Sequence, residues 1–112
     1  MTQNYDKSSD NFYPMSLEEL RETLNEYAEM EISYKNIIYS LTIHLVKKEP
    51  LEHSIGWYRC TEPYTIPFIE YGNYDDLEYR KGLVERMLNA PMFDDGKSLK
   101  EAIEDVSVDW FD

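Results

Sequence analysis

The sequence predicts an α+β fold, with an antiparallel sheet of about three to five strands, an N-terminal helix and two C-terminal helices packed on it. Three observations predict it. Apolar residues recur at helical spacing near the N-terminus and again beyond residue 75, whereas the stretch between them alternates as strands do. The links between successive strand-like runs are too short for the crossovers that parallel strands require, so neighbours must run antiparallel. A chain of 112 residues, 42% of them hydrophobic, is long enough for one core without staples.

Residues 1–14, rich in Asn, Asp, Ser and Lys, read as a flexible N-terminal arm, and residues 15–112 as a single domain. Ser16 and Glu19 have capping-box spacing, and Met15 and Leu20 occupy the hydrophobic-staple positions. Leu17, Leu20, Leu24, Tyr27 and Ala28 then fall within an arc of about 100°, so the spacing predicts a helix ending near Met30. Ile32 and Tyr34 alternate, Lys35-Asn36 suits a two-residue hairpin turn, and Ile37 to Val46 reads as a long strand. Its Tyr39, Leu41, Ile43 and Leu45 share one face, and Ser40, Thr42 and His44 share a solvated one.

Residues 47–53 read as a charged loop broken by Pro50. Strands are expected from about Ile55 to Thr61 and from about Tyr64 to Tyr71, the second at an edge or bulged because Pro67 has no amide to donate. A helix is expected from near Asp75 to Pro91, carrying Leu77, Leu83, Val84, Met87 and Leu88. A further short one follows the Ser98–Glu101 capping box. Val106, Val108 and Trp110 alternate with Ser107, Asp109 and Phe111, as in a short last strand or a docked tail.

Charge narrows the function classes. There are 23 acidic and 11 basic residues, a net charge of −12. Residues 47–72 are almost neutral, with four acids and three bases, and the excess lies in the flanks that contain the helices. Such a field disfavours direct nucleic-acid binding and anionic membranes and favours a partner protein with a basic surface. No apolar stretch approaches the roughly 18 residues of a membrane span, and the N-terminus has no apolar signal core. Cys60 is the single cysteine, so no internal disulfide can form. These features point to a cytoplasmic protein. The oligomeric state stays open, a dimer through an intermolecular bridge or an aromatic edge strand included.

Motifs for catalysis are missing. His44, His53 and Cys60 lack zinc-site spacing, and the four glycines are scattered rather than gathered in a phosphate loop. Asp94-Asp95-Gly96 places Pro91 and Phe93 where a calcium loop needs acids. No catalytic residue, metal or cofactor is assigned, and the reading is non-enzymatic.

The sharpest candidate surface is the acidic face of the first helix. Glu18, Glu22 and Glu26 stack at i, i+4 spacing, and Glu18 to Glu29 spans about 17 Å. Like charges at that spacing oppose helix formation, and Arg21 is the only base there to offset them. The bland reading is a solvated face that keeps the chain soluble. The functional reading is a surface for a basic partner, formed by Glu18, Glu22, Glu26 and Glu29, with Tyr58 as an apolar anchor. Two alternatives remain. One is a nucleic-acid mimic of phage or mobile-element type that blocks a DNA-binding protein. The other is a small ligand-binding domain using the aromatic sheet face around Trp57, Tyr58, Tyr64, Phe68 and Tyr71, which would require a closed apolar pocket.

Overall fold

The computed structural model describes residues 15–112 of the chain. The arm expected at residues 1–14 lies outside the described residues. Helix α1 (Leu17–Glu26) begins as its sequence predicts. Ser16 Oγ accepts from the Glu19 amide at 3.1 Å, and Glu19 Oε1 accepts from the Ser16 amide at 3.0 Å. Together they satisfy two amides at the helix start. Leu20 and Leu24 are fully buried.

The helix stops at Glu26, short of the expected Met30. Tyr27 is already extended, and the amides of Ala28 and Glu29 donate to the Asp112 carbonyl at 3.2 and 3.0 Å. Strand-like pairing with the C-terminus thus takes over the backbone that would have continued the helix. Glu29 is therefore not a helix residue.

Strand β1 (Met30–Tyr34) turns into β2 (Ile37–Lys48) through Lys35-Asn36, whose φ values of 53° and 65° are those of a primed hairpin turn. β3 (Leu51–Arg59) starts earlier than the expected Ile55, since Lys48 pairs with Leu51 and Lys47 with Glu52. Most of the predicted charged loop is thus the end of a long ribbon, where side chains on both faces reach water and charge is compatible with pairing. β4 (Thr65–Gly72) lies at the sheet edge, with a register shift alongside Pro67, as the missing amide requires. β5 (Ser107–Phe111) closes the other edge, giving five antiparallel strands in the order β4-β3-β2-β1-β5.

Helix α2 (Leu77–Asn89) is capped by Asp76, whose carboxylate accepts from the amides of Glu78 and Tyr79. Leu83, Val84, Met87 and Leu88 enter the core as expected. Leu77 does not, and stands 69% exposed. Tyr74 takes the buried place beside the helix start, with Arg80 over its ring at 4.1 Å and its hydroxyl donating to the Tyr27 carbonyl at 3.0 Å.

The third predicted helix does not form. Its capping box is present, with bonds of 2.9 and 3.1 Å between Ser98 and Glu101. Only a turn follows, tightening to a 3-10 turn at Ile103–Asp105. Val106 and Val108 are both buried, and the chain must extend to place them, which ends the helix before propagation can offset nucleation.

The core lies between the helices and one face of the sheet. Ile32, Tyr34, Tyr39, Leu41, Ile55, Trp57 and Val108 meet Leu20, Leu24, Leu83 and Met87. Among the described residues no helix or strand is layered over the opposite face.

Candidate functional site

The residues expected to form one surface are divided between the two sides of the molecule. Glu18, Glu22 and Glu26 lie on the solvent side of α1. Glu18 is engaged there, since Arg21 Nη1 donates to it at 2.8 Å, and Arg21 Nε donates to Glu85 at 2.6 Å, tying α1 to α2. Glu19 is held in the capping box. Glu22 and Glu26 are exposed and make no ion pair among the described residues.

Tyr58 follows the fully buried Trp57 along β3, so strand alternation sends it to the bare face, away from α1. It pairs with Ser40, Ser40 pairs with Glu31, and Glu31 pairs with Trp110. A transverse row, Tyr58–Ser40–Glu31–Trp110, therefore crosses four strands, with an aromatic ring at each end and a carboxylate between. Beside it the Tyr58 ring closes over the buried Gly56. A Cβ there would come within 3.1 Å of the Phe68 carbonyl and 3.2 Å of the Tyr58 ring. Ile69 pairs with Gly56 and Tyr71 with Ser54, and both stand exposed on the same face.

Trp110 was not legible as a member of this face. Simple alternation groups Trp110 with the buried Val106 and Val108. The register instead shifts between Glu31 and Ile32: Ile32 pairs with Val108, but Glu31 pairs with Trp110, leaving Asp109 as an extra residue. This bulge turns Trp110 outward, where it is 43% exposed, and returns Phe111 to the core side against Tyr27 at 5.0 Å. Asp109 also projects onto the bare face. Its Oδ1 accepts from Ser33 Oγ and Ser107 Oγ, each at 3.4 Å, and the two hydroxyls are 2.7 Å apart. Burial, with the Glu31 charge nearby, holds the Asp109 carboxyl above its ordinary value.

Two shallow grooves of about 560 Å³ each share Trp110 as a wall. One is lined by Glu31, Ser33, Asn36, Ile38, Asp109 and Trp110, and contains no base. The other lies where β1 begins, between Ala28-Glu29 and the Thr42–His44 stretch of β2. Glu29, though off the helix, thus stands on the Trp110 side of the fold. Both grooves are open, and neither is the closed apolar pocket that a small-ligand domain calls for.

The other polar clusters hold the fold together. Arg59 donates to both Asp94 oxygens, at 3.3 and 2.7 Å, and to the carbonyls of Thr61 and Pro63. Glu70 accepts from Arg86 and from the Tyr79 hydroxyl. Cys60 and His44 do not meet. Cys60 sits beside Ile38, whereas His44 pairs with Ser54, about 20 Å further along β2. Among the described residues no three His, Cys, Asp or Glu side chains are placed to share a metal ion, and no helix is long and apolar enough to cross a membrane. Comparison with family models, curated proteins and solved structures found no match, which leaves the charge and geometry of the bare sheet face as the basis for a functional reading.

Proposed function

We propose that this chain is a small non-catalytic binding module that holds a protein with a basic surface against the bare face of its sheet. The observation that carries the reading is the Tyr58–Ser40–Glu31–Trp110 row. Half-exposed aromatic rings supply contact area at low entropic cost, and a carboxylate between them selects for positive charge. The face is open, which suits a macromolecule better than a small molecule. Glu22 and Glu26, on the far side, contribute to the long-range field that raises the encounter rate and make no contact.

The test is capture of partners from native lysate by the wild type and two folded variants, with far-UV circular dichroism as the control for folding. Tyr58→Ala with Trp110→Ala should weaken retention of a basic partner at moderate salt by about 30-fold or more, as expected for the loss of two anchors. Glu22→Lys with Glu26→Lys should reduce capture at low salt only. Retention that survives removal of both aromatic rings would end this reading. Displacement of the partner by duplex DNA would instead assign the acids a phosphate-mimicking role, which Glu18 and Glu19, already engaged within the fold, do not favour.

A further inference from the structure

The bulge in β5 does more than end a strand. It places a carboxylate and an indole side by side on the bare face, next to Glu31, in a groove that contains no positive charge. β5 is also the last strand of the sheet. Its outer backbone groups have no strand partner among the described residues, so they form an edge that another extended chain can join. An added strand would lie about 5 Å from β5, and alternate side chains would stand over the groove.

We infer that the Trp110 groove, together with the free edge of β5, seats an extended arginine-bearing segment of the basic partner. This deepens the function proposed above and rests on it. The edge recognises backbone, and the groove recognises the side chain. A guanidinium over Asp109 and Glu31 gains two carboxylate acceptors and can stack on the exposed Trp110 ring. Asp109 is half-buried, and its two hydroxyl contacts are long, so it lacks a close charged partner in the free protein. A second copy of this chain is the disfavoured occupant, because two bodies of net charge −12 repel each other.

The experiment is a titration of the full chain, labelled with nitrogen-15, with a capped five-residue peptide of alternating glycine and arginine. A glutamine-for-arginine peptide serves as the control. Trp57 is fully buried and Trp110 exposed, so the two indole resonances report core and groove separately. The arginine peptide should shift the Trp110 indole and the amides of residues 107–111 to saturation and slow the exchange of those amides, and the glutamine peptide should not. Glu31→Gln with Asp109→Asn should weaken binding at least tenfold, and Glu22→Gln with Glu26→Gln by less than twofold. Shifts spread over α1 and α2 without saturation, equal binding of the glutamine peptide, or an affinity indifferent to the Glu31 and Asp109 changes would overturn the inference. If capture still depends on Tyr58 and Trp110 while the peptide ignores Glu31 and Asp109, only the groove assignment fails. If capture is independent of both rings, the broader function fails with it.

Discussion

At the scale of single residues, Asp95 joins the hairpin between β1 and β2 to the loop after α2. Its Oδ1 accepts from the Lys97 amide at 3.0 Å, and its Oδ2 accepts from Lys35 Nζ at 3.0 Å and the Tyr34 hydroxyl at 2.8 Å. The amide hydrogen bond, then the Lys35 and Tyr34 contacts, lower the carboxyl from 3.8 to about 2. A folded pKa below the unfolded one means that the charged form stabilises the fold. That contribution is complete above pH 3.8 and is lost as pH falls through about 2. Carbon-detected titration should place the Asp95 midpoint near 2, and Asp95→Asn should flatten the fall in stability between pH 4 and 2. A midpoint near 3.8 would show that the three contacts do not persist in solution. None of this was legible in the sequence. Asp94-Asp95-Gly96 announces a turn, which forms with Gly96 at φ +86°, but which side chains a turn meets depends on tertiary placement.

At the scale of elements, the contact between α2 and β4 depends on a glycine. A Cβ on Gly72 would sit 2.2 Å from Tyr79 Cζ and 2.5 Å from its hydroxyl oxygen, so the ring occupies space that only glycine leaves. That position brings the Tyr79 hydroxyl to 2.5 Å from Glu70, which also receives Arg86. Gly72→Ala must displace the ring and should cost about 1–3 kcal/mol, read as a lower denaturant midpoint at unchanged slope. In a Tyr79→Ala background the same change should be nearly silent, and an equal cost in both backgrounds would refute the steric account. In the sequence Gly72 falls only in the gap between the strand expected to end near Tyr71 and the helix expected from near Asp75. Local signals did foretell both helix starts, the Lys35-Asn36 hairpin and the edge position of the Pro67 strand, because caps, turns and proline act within a few residues. They misread the Ser98–Glu101 capping box, where a neighbouring strand claims the backbone that the helix needed. They also misplaced Trp110, because a bulge shifts side-chain parity without changing composition. The β5 edge of the candidate site was hidden for that reason, whereas Tyr58 was already in view.

At the scale of the whole molecule, charge is the dominant physical fact. Six ion pairs join described residues: Arg21 with Glu18 and with Glu85, Lys35 with Asp95, Lys47 with Glu52, Arg59 with Asp94, and Arg86 with Glu70. All have at least one exposed or half-exposed partner, so solvent screens them and each contributes little. These pairs use five of the ten bases among the described residues, and acids outnumber bases by 23 to 11 over the chain, so the remaining interactions are mostly repulsive and act over longer distances. Salt reaches the two kinds of interaction differently. The Debye length falls from about 30 Å at 0.01 M to about 8 Å at 0.15 M, which removes repulsion across the molecule but leaves contacts near 3 Å partly intact. Folding compacts the acids, so screening should favour the native state. Raising sodium chloride over that range should therefore increase the thermal midpoint by about 5 °C, the shift that about 1 kcal/mol produces in a chain of this size. Differential scanning calorimetry at pH 7 checks it. A midpoint that stays flat or falls would mean that the local ion pairs outweigh the global excess. A rise that is lost in the Glu22→Lys, Glu26→Lys variant would locate the cost in α1, where carboxylates stacked at i, i+4 repel one another and the one base, Arg21, is held by Glu18 and Glu85.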